Sequence, residues 1–117
     1  MALQSLSASE LADTRTVLAS FMGQTVGDRK TVSQLLEIYR ERSGTLPAAE
    51  DQADDLRVDR FINDMTNSGW NSDVVIRIGV FDDTVLVIDG IHRGIAYLAC
   101  IEEGINSVRL PALHVDC

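Results

Sequence analysis

The sequence predicts a small α+β protein in which helices and a small mixed sheet share one hydrophobic core. The 117 residues include 45% apolar and 24% charged side chains, which are the proportions of an ordinary globular domain. Helical periodicity marks the first part of the chain, and β-branched strand patterns begin at Val74. A chain of this length needs only one core, so we expect a single domain over residues 1–117.

The N-terminal helix is predicted over residues 8–22. Ser7 followed three residues later by Glu10 has the form of a capping box. The apolar residues that then recur at helical spacing are Leu11, Leu18, Phe21 and Met22. Gly23 is the expected end of this helix. Together with a second helix, this segment predicts a helical extension over residues 1–45 on a smaller core formed by residues 46–117.

Two further helices are expected before the strands. Thr31 and Gln34 repeat the capping pattern and predict a helix over residues 32–43. A third helix is expected after Leu46-Pro47, ending at Gly69, with an acidic run over residues 50–55 near its start. Its predicted apolar positions are Leu56, Phe61, Ile62 and Met65.

The second half of the chain predicts a hairpin, a helix and a last strand. The segments VVIRIGVF and TVLVI are β-branched and apolar, and Asp82-Asp83 between them favours a tight turn. Asp89-Gly90 ends the second strand, and apolar residues then recur at helical spacing from Ile91 until Gly104. A final strand is expected over residues 107–115.

The acidic balance and the absence of targeting patterns exclude several classes of protein. The formal charge is −8, from 18 acidic and 10 basic side chains, which argues against non-specific binding to DNA or RNA. No stretch approaches the roughly 18 to 20 apolar residues of a membrane span, and the N-terminus lacks a signal-peptide pattern. The two cysteines, Cys100 and Cys117, do not form a zinc-binding or disulfide pattern. We expect a cytoplasmic protein with no membrane partner.

The turn that joins the second strand to the fourth helix is the candidate site. The first N–H groups of a helix lack internal acceptors and lie at the positive end of its dipole, so they favour an anion such as phosphate. Arg93 can hold phosphate oxygens through two parallel hydrogen bonds, and His92 can exchange a proton near neutral pH. Gly90 permits a sharp turn, and Asp89 can cap the helix or orient His92, Arg93 or a metal ion. The same pattern is equally typical of an ordinary capped helix with polar residues at its start.

Several features of this segment resemble the ParB/sulfiredoxin superfamily. They are Val85–Ile88, Asp89-Gly90-Ile91-His92-Arg93, Ala96, Gly104 and Val108–Val115, preceded by Arg57–Gly69 and Val74–Phe81 at the places of the family's helix and first strand. The resemblance covers residues 46–117 and implies a ParB/sulfiredoxin-like sheet packed on helices. It also implies that phosphate is bound by Gly90, Ile91, His92, Arg93 and Gly94.

The resemblance also narrows the expected activity. Sulfiredoxins have a reactive cysteine immediately before the His-Arg pair, whereas Ile91 occupies that position here and offers no nucleophile. ParB proteins that bind DNA continue into further domains, and the charge of this chain is unfavourable for DNA. We expect nucleotide-dependent phosphoryl transfer to a small molecule, or nucleotide hydrolysis, with ATP, ADP or CTP and Mg²⁺. The alternative is a non-catalytic nucleotide-binding or regulatory module with a protein or DNA partner.

Acidic residues upstream are candidates for the base or metal ligand that such chemistry needs. Asp51, Asp55 and Asp59 are spaced to lie on one face of a helix. We therefore predict Asp55 and Asp59, together with Asp89 and His92, as catalytic residues. The competing interpretation is a solvated acidic face that complements the helix dipole.

Overall fold

The computed structural model describes residues 2–22, 24–27, 29–42, 52–68, 76–103 and 110–116. The elements in chain order are β1 Ala2–Leu6, α1 Ala8–Ala12, β2 Arg15–Thr16, β3 Ser20–Phe21, β4 Gln24–Thr25, α2 Val32–Arg42, α3 Gln52–Ser68, β5 Ile76–Phe81, β6 Thr84–Asp89, α4 Ile91–Glu102 and β7 Leu110–Asp116. The predicted α+β class is confirmed. The helix ends expected at Gly23, Gly69 and Gly104 lie outside the described residues.

The main sheet is mixed and has five strands in the order β1-β7-β5-β6-β2. β5 pairs antiparallel with β6 and parallel with β7, while β1 pairs antiparallel with β7 and β2 pairs parallel with β6. Asp82 and Asp83 form the turn between β5 and β6 with φ angles of 51° and 63°. Two central residues with positive φ give the twist that suits a tight hairpin, so the predicted hairpin and its turn are confirmed.

The N-terminal segment differs most from the prediction. The capping box of Ser7 and Glu10 forms, but α1 ends at Ala12, so the helix predicted over residues 8–22 is wrong. The backbone N–H of Thr16 instead donates to the carbonyl of Lys30, and that of Val17 donates to the carbonyl of Val87. These pairings place β2 at one edge of the sheet, and β1 forms the opposite edge. Within its described residues, the helical extension predicted over residues 1–45 thus contains four short strands besides the helices α1 and α2.

The helices α2 and α3 agree with the prediction in type and place. Thr31 and Gln34 cap α2 reciprocally, each side chain accepting from the other's backbone N–H. In α3 the predicted apolar positions Phe61, Ile62 and Met65 lie in the core or pack against it. The apolar face is shifted only near the start of the helix, where Val58 is fully buried and Leu56 is 58% exposed. This shift decides which of the acidic residues on α3 point toward the protein interior.

The helix α4 lies at the centre of the core. It packs against α1, α2, α3 and β5, and it is buried continuously from Gly94 to Cys100. The start of α4 is therefore fixed from several sides, beside the end of β6 and the flank of α3. Within the described residues, no helix is both long and apolar enough to cross a membrane.

Candidate functional site

The turn before α4 is built around Gly90. This residue is the N-cap and has a φ of 82°, in the left-handed region that favours glycine. A Cβ atom at this position would lie 3.4 Å from Cγ1 and 3.5 Å from Cα of Ile76, so the turn also lies close against β5. Asp89 is therefore not the N-cap, contrary to one expectation: its Oδ1 accepts the N–H of Gly90 at 3.0 Å. The carboxylate of Asp89 stabilises the turn from one residue earlier.

The first turn of α4 provides backbone donors. The N–H of Gly94 donates to the carbonyl of Gly90 at 2.9 Å and begins the hydrogen-bond series of the helix. The N–H groups of Ile91, His92 and Arg93 precede it and have no acceptor within the helix. These three N–H groups can donate to an anion, and the phosphate binding predicted for their residues stays a prediction. Gly94 cannot, because its N–H is used by the helix, so its predicted contact with phosphate is not supported.

A cleft of about 250 Å³ opens beside this turn. Its lining residues are Arg57, Phe61, Asp89, Gly90, Ile91, His92 and Arg93. Among the described residues that line the cleft, two are arginines and one carries a carboxylate. Among the described residues, neither Arg57 nor Arg93 forms an ion pair. The balance of charge in the cleft favours a negatively charged ligand.

The side chain of Arg93 rests on an aromatic ring of α3. Its guanidinium carbon, Cζ, lies 4.3 Å from the centroid of the Phe61 ring. This distance is typical of a cation–π contact, which restrains the guanidinium while leaving its N–H donors available. Phe61 therefore holds Arg93 at the wall of the cleft.

His92 is held by a carboxylate on the neighbouring helix. Its Nε2 lies 2.6 Å from Oδ1 of Asp54, and the side chains of His92 and Asp54 are 15% and 24% exposed. The other oxygen of Asp54, Oδ2, accepts the backbone N–H of Met22 at 2.7 Å. The ring of Phe21 packs against His92 with a centroid separation of 5.8 Å. The imidazole is therefore fixed on one edge while it lines the cleft.

Asp55 and Asp59 of α3, which were predicted as catalytic, are not found among the described residues that line the cleft. Asp59 is exposed, and its Oδ1 accepts a hydrogen bond from the hydroxyl of Tyr39. It does not line the cleft, so the structure gives no support to its predicted catalytic role. Asp55 belongs to α3, but its side chain and the whole of Asp51 lie outside the described part of the chain.

Sequence reasoning missed Asp54, Arg57 and Phe61. A signal for Asp54 was present in the spacing, because Val58 and Ile62 follow it at intervals of four residues and so lie on the same face of α3. Arg57 and Phe61 are also four residues apart, which places them together on the flank of the helix that lines the cleft. Helical phase, rather than the density of acidic residues, identifies the part of α3 that belongs to the site.

Cys100 takes no part in the site. It is buried in α4, and its Sγ lies 3.9 Å from the carbonyl oxygen of Ile62. Burial raises the pKa of its thiol, the negative charge of Glu103 raises it further, and a hydrogen bond with Thr66 partly opposes both. A buried thiol with a raised pKa is a weak nucleophile.

Comparison of the chain with known protein families, characterised proteins and solved structures finds no match. The relation to the ParB/sulfiredoxin superfamily thus stays a prediction that depends on the residues of the motif. Within the described segments, no group of three or more His, Cys, Asp and Glu side chains is placed to hold a metal ion.

Proposed function

We propose that this protein binds a nucleotide by its phosphates in the cleft at the start of α4 and transfers or hydrolyses a phosphoryl group. The observation that carries the proposal is the convergence of Arg57, Arg93 and His92 with the first N–H groups of α4. Guanidinium groups and helix-start N–H groups are both suited to phosphate. The resemblance of residues 89–93 to the phosphate motif of the ParB/sulfiredoxin superfamily supports the same assignment, with ATP, ADP or CTP as the nucleotide and a small molecule in the cytoplasm as the substrate.

The residues of the cleft would have different roles in such a reaction. Arg57 and Arg93 neutralise phosphate oxygens from two different helices, and the N–H groups of α4 bind the same anion from a third direction. His92 is the group that can donate or accept a proton near neutral pH. Phosphoryl transfer depends mainly on positioning and charge neutralisation. The residues of the cleft supply both kinds of contribution.

The donor chemistry of the cleft limits how Mg²⁺ would be held. Among the described residues that line the cleft, Asp89 alone has a carboxylate, and the positive charges of Arg57 and Arg93 disfavour a cation in their own surroundings. Mg²⁺ commonly keeps several waters and is held by one or two carboxylates together with substrate phosphates. The cleft fits an ion of that kind, with Asp89 as the protein ligand. When bound, the ion supplies further neutralisation of phosphate charge.

Thermal unfolding with nucleotides tests the binding step. Wild-type protein is unfolded with ATP, ADP, CTP, GTP, AMP and inorganic phosphate, each with and without Mg²⁺. A nucleotide at about 100 times its dissociation constant adds roughly 2.7 kcal/mol, which raises the midpoint by several degrees in a domain of this size. We expect the shift to disappear in Arg93→Ala and to shrink in Arg57→Ala.

The matched control is Arg60→Ala, which removes the same charge from an exposed position on α3, one turn from Arg57 and outside the lining of the cleft. Its nucleotide-induced shift should equal that of the wild type. An equal loss in all three variants would reduce the effect to general electrostatic attraction. No shift of the wild-type protein with any nucleotide would remove the proposed function.

A non-catalytic phosphate-binding module is the second candidate, and a specific observation favours it. Both oxygens of Asp54 and one oxygen of Asp89 already accept hydrogen bonds from the protein, which is the behaviour of structural carboxylates. Measurements of phosphate release and of product formation at saturating nucleotide distinguish an enzyme from a non-catalytic module. An enzyme should lose about 10²- to 10⁴-fold of its turnover in His92→Gln with binding retained. Binding without turnover, in water or with a panel of small hydroxyl acceptors, would establish the module.

A further inference from the structure

The carboxylate of Asp54 makes two hydrogen bonds, one with the imidazole of His92 and one with the backbone of Met22. Its Oδ1 lies 2.6 Å from Nε2 of His92, and its Oδ2 accepts the backbone N–H of Met22 at 2.7 Å. Met22 is itself completely buried, so this N–H needs a protein acceptor. Oδ2 therefore fixes the carboxylate to the backbone of Met22, while Oδ1 contacts the imidazole of His92.

We propose that Asp54 is a positioning residue that keeps neutral His92 protonated on Nε2, so that Nδ1 is the ring nitrogen that exchanges a proton with the ligand in the cleft. An ionised carboxylate only accepts hydrogen bonds, so Nε2 has to carry the proton in the short contact with Oδ1. Because Nε2 is engaged, Nδ1 remains as the basic position of the ring. The assignment of the tautomer stands on geometry alone, and the role of Nδ1 rests on the proposed function.

The replacement Asp54→Asn should invert this arrangement without changing the shape of the side chain. The N–H of Met22 can pair only with an acceptor, so the amide oxygen of the new side chain has to remain on Met22. The amide NH₂ group then faces Nε2 of His92 and donates to it. His92 would move its proton to Nδ1, and the nitrogen that meets the ligand would become a donor instead of a base.

Nitrogen NMR of the imidazole ring measures this inversion directly. Uniformly ¹⁵N-labelled protein is observed through two-bond ¹⁵N–¹H correlations along a series of rising pH, and the tautomer is taken from the alkaline spectra that no longer change with pH. The chain has two histidines, so His92→Gln assigns the resonances. The wild type should show the protonated nitrogen at Nε2, and Asp54→Asn should show it at Nδ1. Asp64→Asn, an exposed carboxylate on the same helix, is the matched control and should retain the wild-type pattern.

Turnover and binding provide the second readout. Asp54→Asn should lower kcat by about 10²- to 10⁴-fold, the range expected for loss of a general base. Its nucleotide-induced thermal shift should stay close to the wild-type value, because the phosphate contacts of Arg57 and Arg93 are retained. A purely structural role for Asp54 predicts lower stability with an unchanged tautomer and an unchanged kcat per folded molecule.

The outcomes separate the two proposals. A wild-type ring protonated on Nδ1, or the same tautomer in wild type and Asp54→Asn, overturns the positioning role. If Asp54→Asn does not fold, the wild-type spectrum alone decides the tautomer. If the wild type neither binds nor converts a nucleotide, the proposed function fails and the role of Nδ1 fails with it, while the ring spectrum still decides whether Asp54 sets the state of His92.

Discussion

The two sides of α3 carry the same chemical group in different surroundings. On the inner side, Asp54 lies between Met22 and His92 and is 24% exposed. On the outer side, Asp59 is exposed and pairs with the hydroxyl of Tyr39. At 3.6 residues per turn, their separation of five positions rotates the side chain by about 140° around the helix. The difference shows that helical phase decides whether a carboxylate takes part in the site or stabilises the surface.

Removing each carboxylate should give the largest contrast. Asp54→Ala leaves the buried N–H of Met22 and the Nε2 of His92 without an acceptor, so we expect a loss of about 2–3 kcal/mol in the free energy of unfolding. In a domain of this size, that loss lowers the midpoint of thermal unfolding by roughly 10 °C or more. Asp59→Ala removes one exposed hydrogen bond and should cost no more than about 1 kcal/mol.

Urea and thermal unfolding of the two variants, measured side by side, check this difference. Both replacements remove one carboxylate from α3, so the change in net charge is matched. Asp54 also lies in the first turn of α3, where a carboxylate interacts favourably with the helix dipole, and this adds about 0.3–1 kcal/mol to the loss expected for Asp54→Ala. Equal losses in stability would mean that Asp54 and Asp59 are both surface residues in solution, and the inner side of α3 would then have no special role.

The same contrast explains which part of the site can be predicted from the sequence. Asp89, Gly90, His92 and Arg93 lie within five residues at a strand–helix junction, so local patterns are sufficient to bring them together. Asp54 comes from a different helix, 38 positions earlier in the chain than His92. Its contact depends on the angle at which α3 crosses α4, which acidic spacing along one helix does not contain.

In the fold, too, the elements set by local sequence patterns were predicted correctly, and those set by contacts between distant segments were not. The hairpin of β5 and β6 and the amphipathic α4 follow from local periodicity and turn residues, and both were predicted correctly. The segment after Ala12 has helical spacing at Leu18 and Phe21, yet Thr16 and Val17 pair with Lys30 and Val87. Backbone pairing with distant segments outweighs the weak helix propensity of these β-branched residues.

The contact of Phe61 with Arg93 should give an effect of intermediate size. Phe61→Leu keeps an apolar side chain on the inner flank of α3 but removes the ring beneath the guanidinium. A double-mutant cycle with Arg93→Ala should return a coupling energy of about 0.5–1 kcal/mol. The nucleotide-induced shift of Phe61→Leu should also decrease, because Arg93 loses its support.

The control cycle pairs Phe61→Leu with Arg60→Ala, whose guanidinium lies outside the cleft. We expect a smaller coupling energy than in the cycle with Arg93, because consecutive side chains of a helix do not face each other. A coupling with Arg60 as large as that with Arg93 would show that the measured energy reflects general helix stability instead of contact between the ring and the guanidinium.

The hydroxyl of Tyr39 should give the smallest effect, since it is the outer counterpart of the histidine contact. Tyr39→Phe removes the hydrogen bond to Asp59 and keeps the ring, so the free energy of unfolding should fall by only about 0.5 kcal/mol. Because Tyr39→Phe and Asp59→Ala break the same bond, the double variant should lose less than the sum of the two single losses. Thermal unfolding of all three variants measures this. A loss in Tyr39→Phe comparable with that in Asp54→Ala would mean that solvent does not weaken the outer pair, and the distinction between the two sides of α3 would no longer hold.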